Sequence, residues 1–311
     1  MNNGTNKTDS TENTISNDND FDLEAIMKKA RHKAELPLII IAAIINLICV
    51  LAMALYFKLL QDGVTVITDA TSMLLTLSES EIELLSGVES YFIIFFFVLV
   101  FIKILVGIKK LYHSGYANGV RVSSSQFPQV YEIEKTLGTK MNFKKAPKVF
   151  INSDSSETKV MGVTIHSKTF FNLSPGTAIY TPTLSQFLIA REFAHVYYGH
   201  RSMAFYLSTF ISHSVPIFGK MLNRCMEYSA DRAAQYILGD DVALDCLVKS
   251  CVHYLTVREL NVEEYLKAMT NPCKKEASLY YLLTNLNSAM PINRYRIRAM
   301  LDPKKKSGKL L

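Results

Sequence analysis

Glu192 and His195 stand three residues apart in the segment Ala190–His200, AREFAHVYYGH, at the spacing of a water-activating carboxylate and a metal ligand on one helix. In an H-E-x-x-H helix two histidines one turn apart hold a metal, and the glutamate between them activates water. Here Arg191 occupies the place of the first histidine. Its guanidinium stays protonated and has no lone pair to offer a metal. Leu184, Leu188, Arg191, His195 and Tyr198 recur at intervals of three or four and share a face with Phe187 and Ala194. Arg191 and His195 therefore point the same way, one turn apart, as two ligands must.

A second constellation lies downstream, in Glu227-Tyr228-Ser229-Ala230-Asp231. A glutamate on a second helix supplies the third ligand in one class of zinc hydrolase. An aspartate one turn later faces the same side and can accept a hydrogen bond from the free nitrogen of a ligating histidine. Each motif alone has a bland reading: a surface glutamate beside a core histidine, and an exposed Glu/Asp pair. Their order, their separation and the apolar segments upstream argue against it.

The elements that must position these residues follow from the apolar pattern. The chain has 311 residues, 49% hydrophobic and only 20% charged, and the apolar residues are concentrated. Residues 36–60 and 91–111 each carry an apolar run close to the twenty or so residues needed to cross a bilayer. In the second, Lys103 sits late enough for its stem to snorkel to the interface. The first run starts too far into the chain, and is too long, for a cleaved signal peptide. Lys28, Lys29, Arg31 and Lys33 precede the first window, and Lys109 and Lys110 follow the second. The loop between, residues 61–90, is acidic and has no lysine or arginine. The positive-inside rule then puts both termini in the cytoplasm and the loop outside.

Residues 1–20 are polar and read as a disordered tail. Residues 21–35 read as a short amphipathic juxtamembrane segment with Phe21, Ile26 and Met27 on one side. Beyond the second window, Ser125–Leu137 has helical spacing stopped by Gly138. Three strands are expected at Lys148–Asn152, Thr158–Ile165 and Lys168–Leu173. Thr183 and Gln186 have capping-box spacing at the start of the motif helix. The apolar stretch Met203–Leu222, broken by His213 and Pro216, reads as a hairpin buried against the domain or dipping into the membrane interface. From Asn223 the pattern is helical almost to the end. The fold class expected is mainly α with a small β-sheet. The five cysteines are odd in number and scattered, without a C-x-x-C pair, which excludes a disulfide framework and suits a reducing compartment. The net charge of +6 gathers near the apolar windows and in the tail 302–311. That distribution points to anionic lipid rather than nucleic acid.

Together these motifs resemble the HtpX and CAAX prenyl endopeptidase family of membrane zinc metallopeptidases, whose motif helix reads H-E-x-x-H followed by G-H and whose later helix carries E-x-x-x-D. Arg191, Glu192 and His195 align with the first motif, Gly199 and His200 with the second, and Glu227 and Asp231 with the third. Pro291–Ala299 resembles a late family segment, with Arg296 and Ile297 matching. The resemblance spans residues 120–301 and implies a zincin-like, gluzincin domain after two transmembrane helices. It implies Glu192 as general base, His195 and Glu227 as zinc ligands, and Asp231 as a supporting carboxylate. His200 and Arg296 are further candidates. It also implies a membrane or cytoplasmic protein segment as substrate or client. Three positions depart from the family pattern: Arg191 for the first histidine, Glu157-Thr158 for an Asn-Ala pair at the substrate-edge strand, and Met290 for a histidine before the late proline.

Zinc needs three protein ligands and an open fourth position. Arg191 leaves two, and at about 4 Å its charge repels a dication by several kcal/mol even at an effective dielectric near 20. A guanidinium replacing the metal satisfies both itself and Glu227, so an Arg191–Glu227 pair with His195 beside it is expected. Two functional readings follow: a non-catalytic relative that binds an extended segment by strand addition, or an active metalloendopeptidase with a substitute ligand such as His166 or His213.

Overall fold

The computed structural model describes residues 22–61, 117–152, 161–165, 168–173, 182–252, 256–271, 278–302 and 308–310, with isolated positions at 176 and between 80 and 109. The protein is mainly helical with one four-stranded sheet. In chain order the elements are α1 (Leu23–Ala30), α2 (Glu35–Gln61), β1 (Val120–Arg121), α3 (Pro128–Lys140), β2 (Lys148–Ile151), β3 (Met161–Ile165), β4 (Lys168–Leu173), α4 (Pro182–Tyr197), α5 (Met203–Ser214), α6 (Pro216–Leu238), α7 (Asp240–Lys249), α8 (Val262–Thr270), α9 (Leu279–Asn287) and α10 (Asn293–Leu301).

Among the described residues one helix, α2, is long and apolar enough to cross a membrane, with a mean hydropathy of 3.0 over Glu35–Tyr56. Its 27 residues extend about 40 Å at 1.5 Å per residue, more than the roughly 30 Å of a hydrocarbon core. Leu36, Ile40, Ile44, Leu47, Leu51 and Leu55 are all exposed along it. The second apolar window lies largely outside the described residues. Its described positions, Tyr91, Ile94, Phe95, Val98, Phe101, Ile102, Leu105 and Val106 among them, are helical and exposed.

The sheet order is β1-β2-β4-β3, with β1 antiparallel to β2, β2 parallel to β4, and β4 antiparallel to β3. The parallel pair sets Val149 opposite Phe171 and Ile151 opposite Leu173, and β3 ends the sheet among the described strands. Arg121 clamps this end of the molecule. Its guanidinium donates to both oxygens of Glu134 on α3, at 2.7 and 2.8 Å, and the same carboxylate accepts from the Val149 amide of β2.

Two local expectations need correction. The helix over Ser125–Leu137 runs instead from Pro128 through Gly138 to Lys140. Gly138 is a site of close approach, where an added Cβ would stand 2.7 Å from that of Ala146, so its small size serves packing rather than termination. The motif helix begins at Pro182, whose fixed φ suits a first turn, so Thr183 sits inside the helix and not at its cap. The strand expected over Thr158–Ile165 is described from Met161.

One core unites most elements. Met27 and Ala30 of α1 join Val130 and Leu137 of α3, Val149 and Ile151 of β2, and Leu184 to Ala194 of α4. Ala230 to Ile237 of α6, Ala243 to Val248 of α7 and Ile297 and Met300 of α10 complete it. The amphipathic segment expected over 21–35 is thus built into the domain, with Asp22 capping α1 by accepting from the Ala25 amide. A smaller cluster joins Leu38 and Ala42 of α2 to Leu222, Cys225 and Met226 of α6. The stretch Met203–Leu222 is two helices, α5 and the first turns of α6, broken at Val215, and α5 packs alongside α2.

Candidate functional site

Helix α4 is buried on every side: from Leu184 to His195 only Gln186 is not fully buried. A helix enclosed all round must neutralise each charge it carries. Arg191, Glu192 and His195 do so with partners brought by α6, α10 and the turn after α4. That turn, Tyr198–Arg201, reverses at Gly199, whose φ of 77° lies in the left-handed region open to glycine.

Arg191 lies between the two acidic residues of α6. Its Nη2 donates to Glu227 Oε2, and its Nε stands 2.6 Å from Asp231 Oδ1 in an ion contact that lacks hydrogen-bond alignment. The Arg191–Glu227 pair expected from the sequence is present. Asp231 does not meet the histidine of the motif; its two oxygens accept from Arg296 Nε and Nη2 of α10, at 2.7 and 2.8 Å. A forked guanidinium is a better match to a planar carboxylate than an imidazole, and Asp231 is held between two of them. Arg296 itself is fully enclosed. Burial would lower its pKa, but the Asp231 carboxylate overrides that and raises it.

Glu192 is buried, which removes the bland reading of an exposed helix carboxylate. Both of its oxygens accept from Arg201 Nη2, at 3.2 and 3.0 Å. Burial also works against the Arg201 charge, and the carboxylates of Glu192 and Glu227 more than restore it. Three guanidinium groups (Arg191, Arg201, Arg296) thus face three carboxylates (Glu192, Glu227, Asp231).

The histidines form a separate relay. His200 Nε2 donates to Glu35 Oε1 at 3.1 Å, since a carboxylate held by Arg31 and Ser229 can only accept. Burial lowers the His200 pKa to about 4, with the Glu35 hydrogen bond opposing, so the ring is neutral and its Nδ1 carries a lone pair. That lone pair accepts from His195 Nδ1 at 3.0 Å. On the other side of the ring His195 Nε2 has no hydrogen-bond partner and stands 3.6 Å from Glu227 Oε1. Two ligands on a tetrahedral zinc stand about 3.3 Å apart for bonds near 2.0 Å, so this pair keeps close to ligand spacing. Burial pushes the Glu227 carboxyl up, but Arg191, then His195 and Arg201, hold it well below the usual range.

The donors present do not fit a zinc centre. His195 and Glu227 supply two ligands, the third place holds a guanidinium, and the would-be base is bound to Arg201. Among the described residues no three His, Cys, Asp or Glu side chains converge as a metal site. His213, a candidate substitute ligand, faces Thr209 and Asn223 instead, with Nε2 3.1 Å from Asn223 Oδ1. His166 and the Glu157-Thr158 pair lie outside the described residues. Met290 is exposed, and its carbonyl accepts from the Ser288 hydroxyl.

Two participants escaped the sequence reading. Arg201 directly follows the Gly-His pair, and a cation so placed was a usable signal for a partner to Glu192. Glu35 is the one carboxylate at the mouth of the first apolar window, among basic neighbours, where an acid is out of keeping with its surroundings. Comparisons with family models, with curated proteins and with solved structures find no match for this chain.

Proposed function

We propose that this protein is a membrane-anchored, non-hydrolytic relative of the HtpX and CAAX-type zinc metallopeptidases, in which an arginine has taken the place of the metal. One observation carries the reading: Arg191 is paired with the very carboxylate, Glu227, that the family resemblance makes a zinc ligand. The guanidinium supplies positive charge to Glu227 and Asp231 together, as a metal and its supporting shell would, but without an exchangeable position for water. Hydrolysis further requires a free base, and Glu192 is held by Arg201.

What remains is a binding module. The edge strand β3 lies in the sheet that packs against α4, so an extended protein segment can add to that edge beside the site without being cut. The client is a membrane or cytoplasmic protein segment, met at the cytoplasmic face of a cell membrane by a domain that follows two transmembrane helices. Measuring the metal content of the purified full chain tests the reading. Substoichiometric zinc is expected in the wild type; one zinc per chain, with peptide hydrolysis, overturns it.

A further inference from the structure

We infer that α5, the first turns of α6, and α9 form an apolar collar around α2 that is embedded in one leaflet of the bilayer, so that the domain contacts lipid directly. The inference does not depend on whether the site hydrolyses peptides.

Asn46 fixes the depth. It lies eleven residues past Glu35 on α2, about 16 Å along the axis, or half of a hydrocarbon core of roughly 30 Å. A carboxamide at that depth is costly unless partnered. Its partners are on α5: Asn46 Nδ2 donates to the Leu207 carbonyl and Asn46 Oδ1 accepts from the Ile211 amide, both at 3.0 Å. These are the two peptide groups that an α-helix would join directly, so the Asn46 amide bridges the ladder of α5. One turn nearer the entry, Ser212 Oγ donates to the Ala42 carbonyl at 2.8 Å. A helix bonded to α2 at Ala42 and Asn46 must share the environment of that part of α2.

α9 is held at the entry level by α6. The same α6 segment that packs on Leu38 and Ala42 carries Arg224, whose Nη1 donates to the carbonyls of Asn285 and Ser288 at 2.6 and 2.5 Å. Lys220, one turn earlier, donates to Asn287. From that anchorage α9 presents Leu279, Tyr280 and Leu283 outward, with Tyr280 82% exposed. Leu207 of α5 and Ile217 of α6 are likewise open, at 53% and 54% exposed. Apolar side chains this open, on helices tied to α2 directly or through α6 and with a tyrosine among them, match an interfacial lipid contact rather than water.

The chain contains no tryptophan, so one introduced residue reports its own surroundings. The full chain is reconstituted into phosphatidylcholine vesicles with brominated acyl chains, as Tyr206→Trp and Tyr280→Trp. Leu47→Trp on α2 serves as a lipid reference and Val242→Trp on α7 as a water reference. Bromine is expected to quench Tyr206→Trp when placed at mid-chain, and Tyr280→Trp when placed near the headgroup. Val242→Trp should keep its emission at both depths. If either collar variant resists quenching as Val242→Trp does while Leu47→Trp is quenched, the collar is overturned and the span stands. If Leu47→Trp also resists, span and collar fall together.

Discussion

Replacing Arg191 by methionine keeps most of its length and removes its charge. The guanidinium is the principal cation against Glu227 and one of two against Asp231, which retains its fork to Arg296. Glu227 is thus the orphan, left with His195 Nε2 at 3.6 Å. Removing one partner of a buried pair costs about 3–5 kcal/mol, because the other charge stays desolvated. Glu227→Gln keeps an acceptor and leaves Arg191 its contact with Asp231, so about 1–3 kcal/mol is expected. If the two side chains act as a unit, the double variant should fall short of the sum by about 1–3 kcal/mol. Denaturant unfolding of the four proteins in one detergent, followed by far-ultraviolet circular dichroism, measures the cycle. Arg191→Met within about 1 kcal/mol of wild type, the range of exposed pairs, would falsify the claim that this arginine replaces a metal's structural role.

Arg191→His should bring zinc to the protein, because His195 Nε2 and Glu227 already stand near ligand spacing; metal analysis of the purified variant is the check. Peptide hydrolysis should stay absent in that variant and emerge only when Arg201→Gln frees Glu192, and hydrolysis by Arg191→His alone would refute the role given to Arg201. Stability should fall on acidification from pH 6.5 to about 4, since His200 binds a proton in the unfolded chain near 6.5 and in the folded one only near 4. The unfolded state then holds more protons across that window, and the total loss is on the order of 3 kcal/mol at about 1.4 kcal/mol per unit. His200→Gln should flatten the curve between those values. A further drop is expected below about pH 4.3, where the unfolded chain protonates Glu227 and the folded one, held low by Arg191, does not. Asn46→Leu removes both hydrogen bonds that tie α2 to α5 at this depth and should destabilise the protein by about 1–2 kcal/mol, read by thermal unfolding in detergent.

What could be read ahead of the structure was what is written in one stretch of chain. The first apolar window gave α2 almost to the residue, because a membrane-length run needs no tertiary context. Arg191, Glu227 and His195 came together as expected, since i to i+4 spacing on two helices limits which side chains can meet. Glu192 was placed on the right helix without a partner, and Asp231 on the right helix with the wrong one. Arg296 takes Asp231 from the histidine, and no spacing rule weighs a guanidinium fork against an imidazole. The Glu35–His200 contact joins residues 165 positions apart, and nothing local marks it. The placement of β4 between β2 and β3 is likewise a decision of packing, invisible in strands of four to six residues.

Glu35 opens a line of neighbouring polar groups that runs inward: from Arg31 through Glu35, His200 and His195, across 3.6 Å to Glu227, then Arg191, Asp231 and Arg296. The first member precedes the apolar helix and the last lies on α10, near the end of the described chain. A fragment beginning at residue 120, where the resemblance begins, would therefore lose Met27 and Ala30 from its core and leave the His200 ring facing a hole. α2 is the floor of the domain as well as a helix long enough to cross a membrane, so a shift of α2 is a shift of the wall against which the site is built.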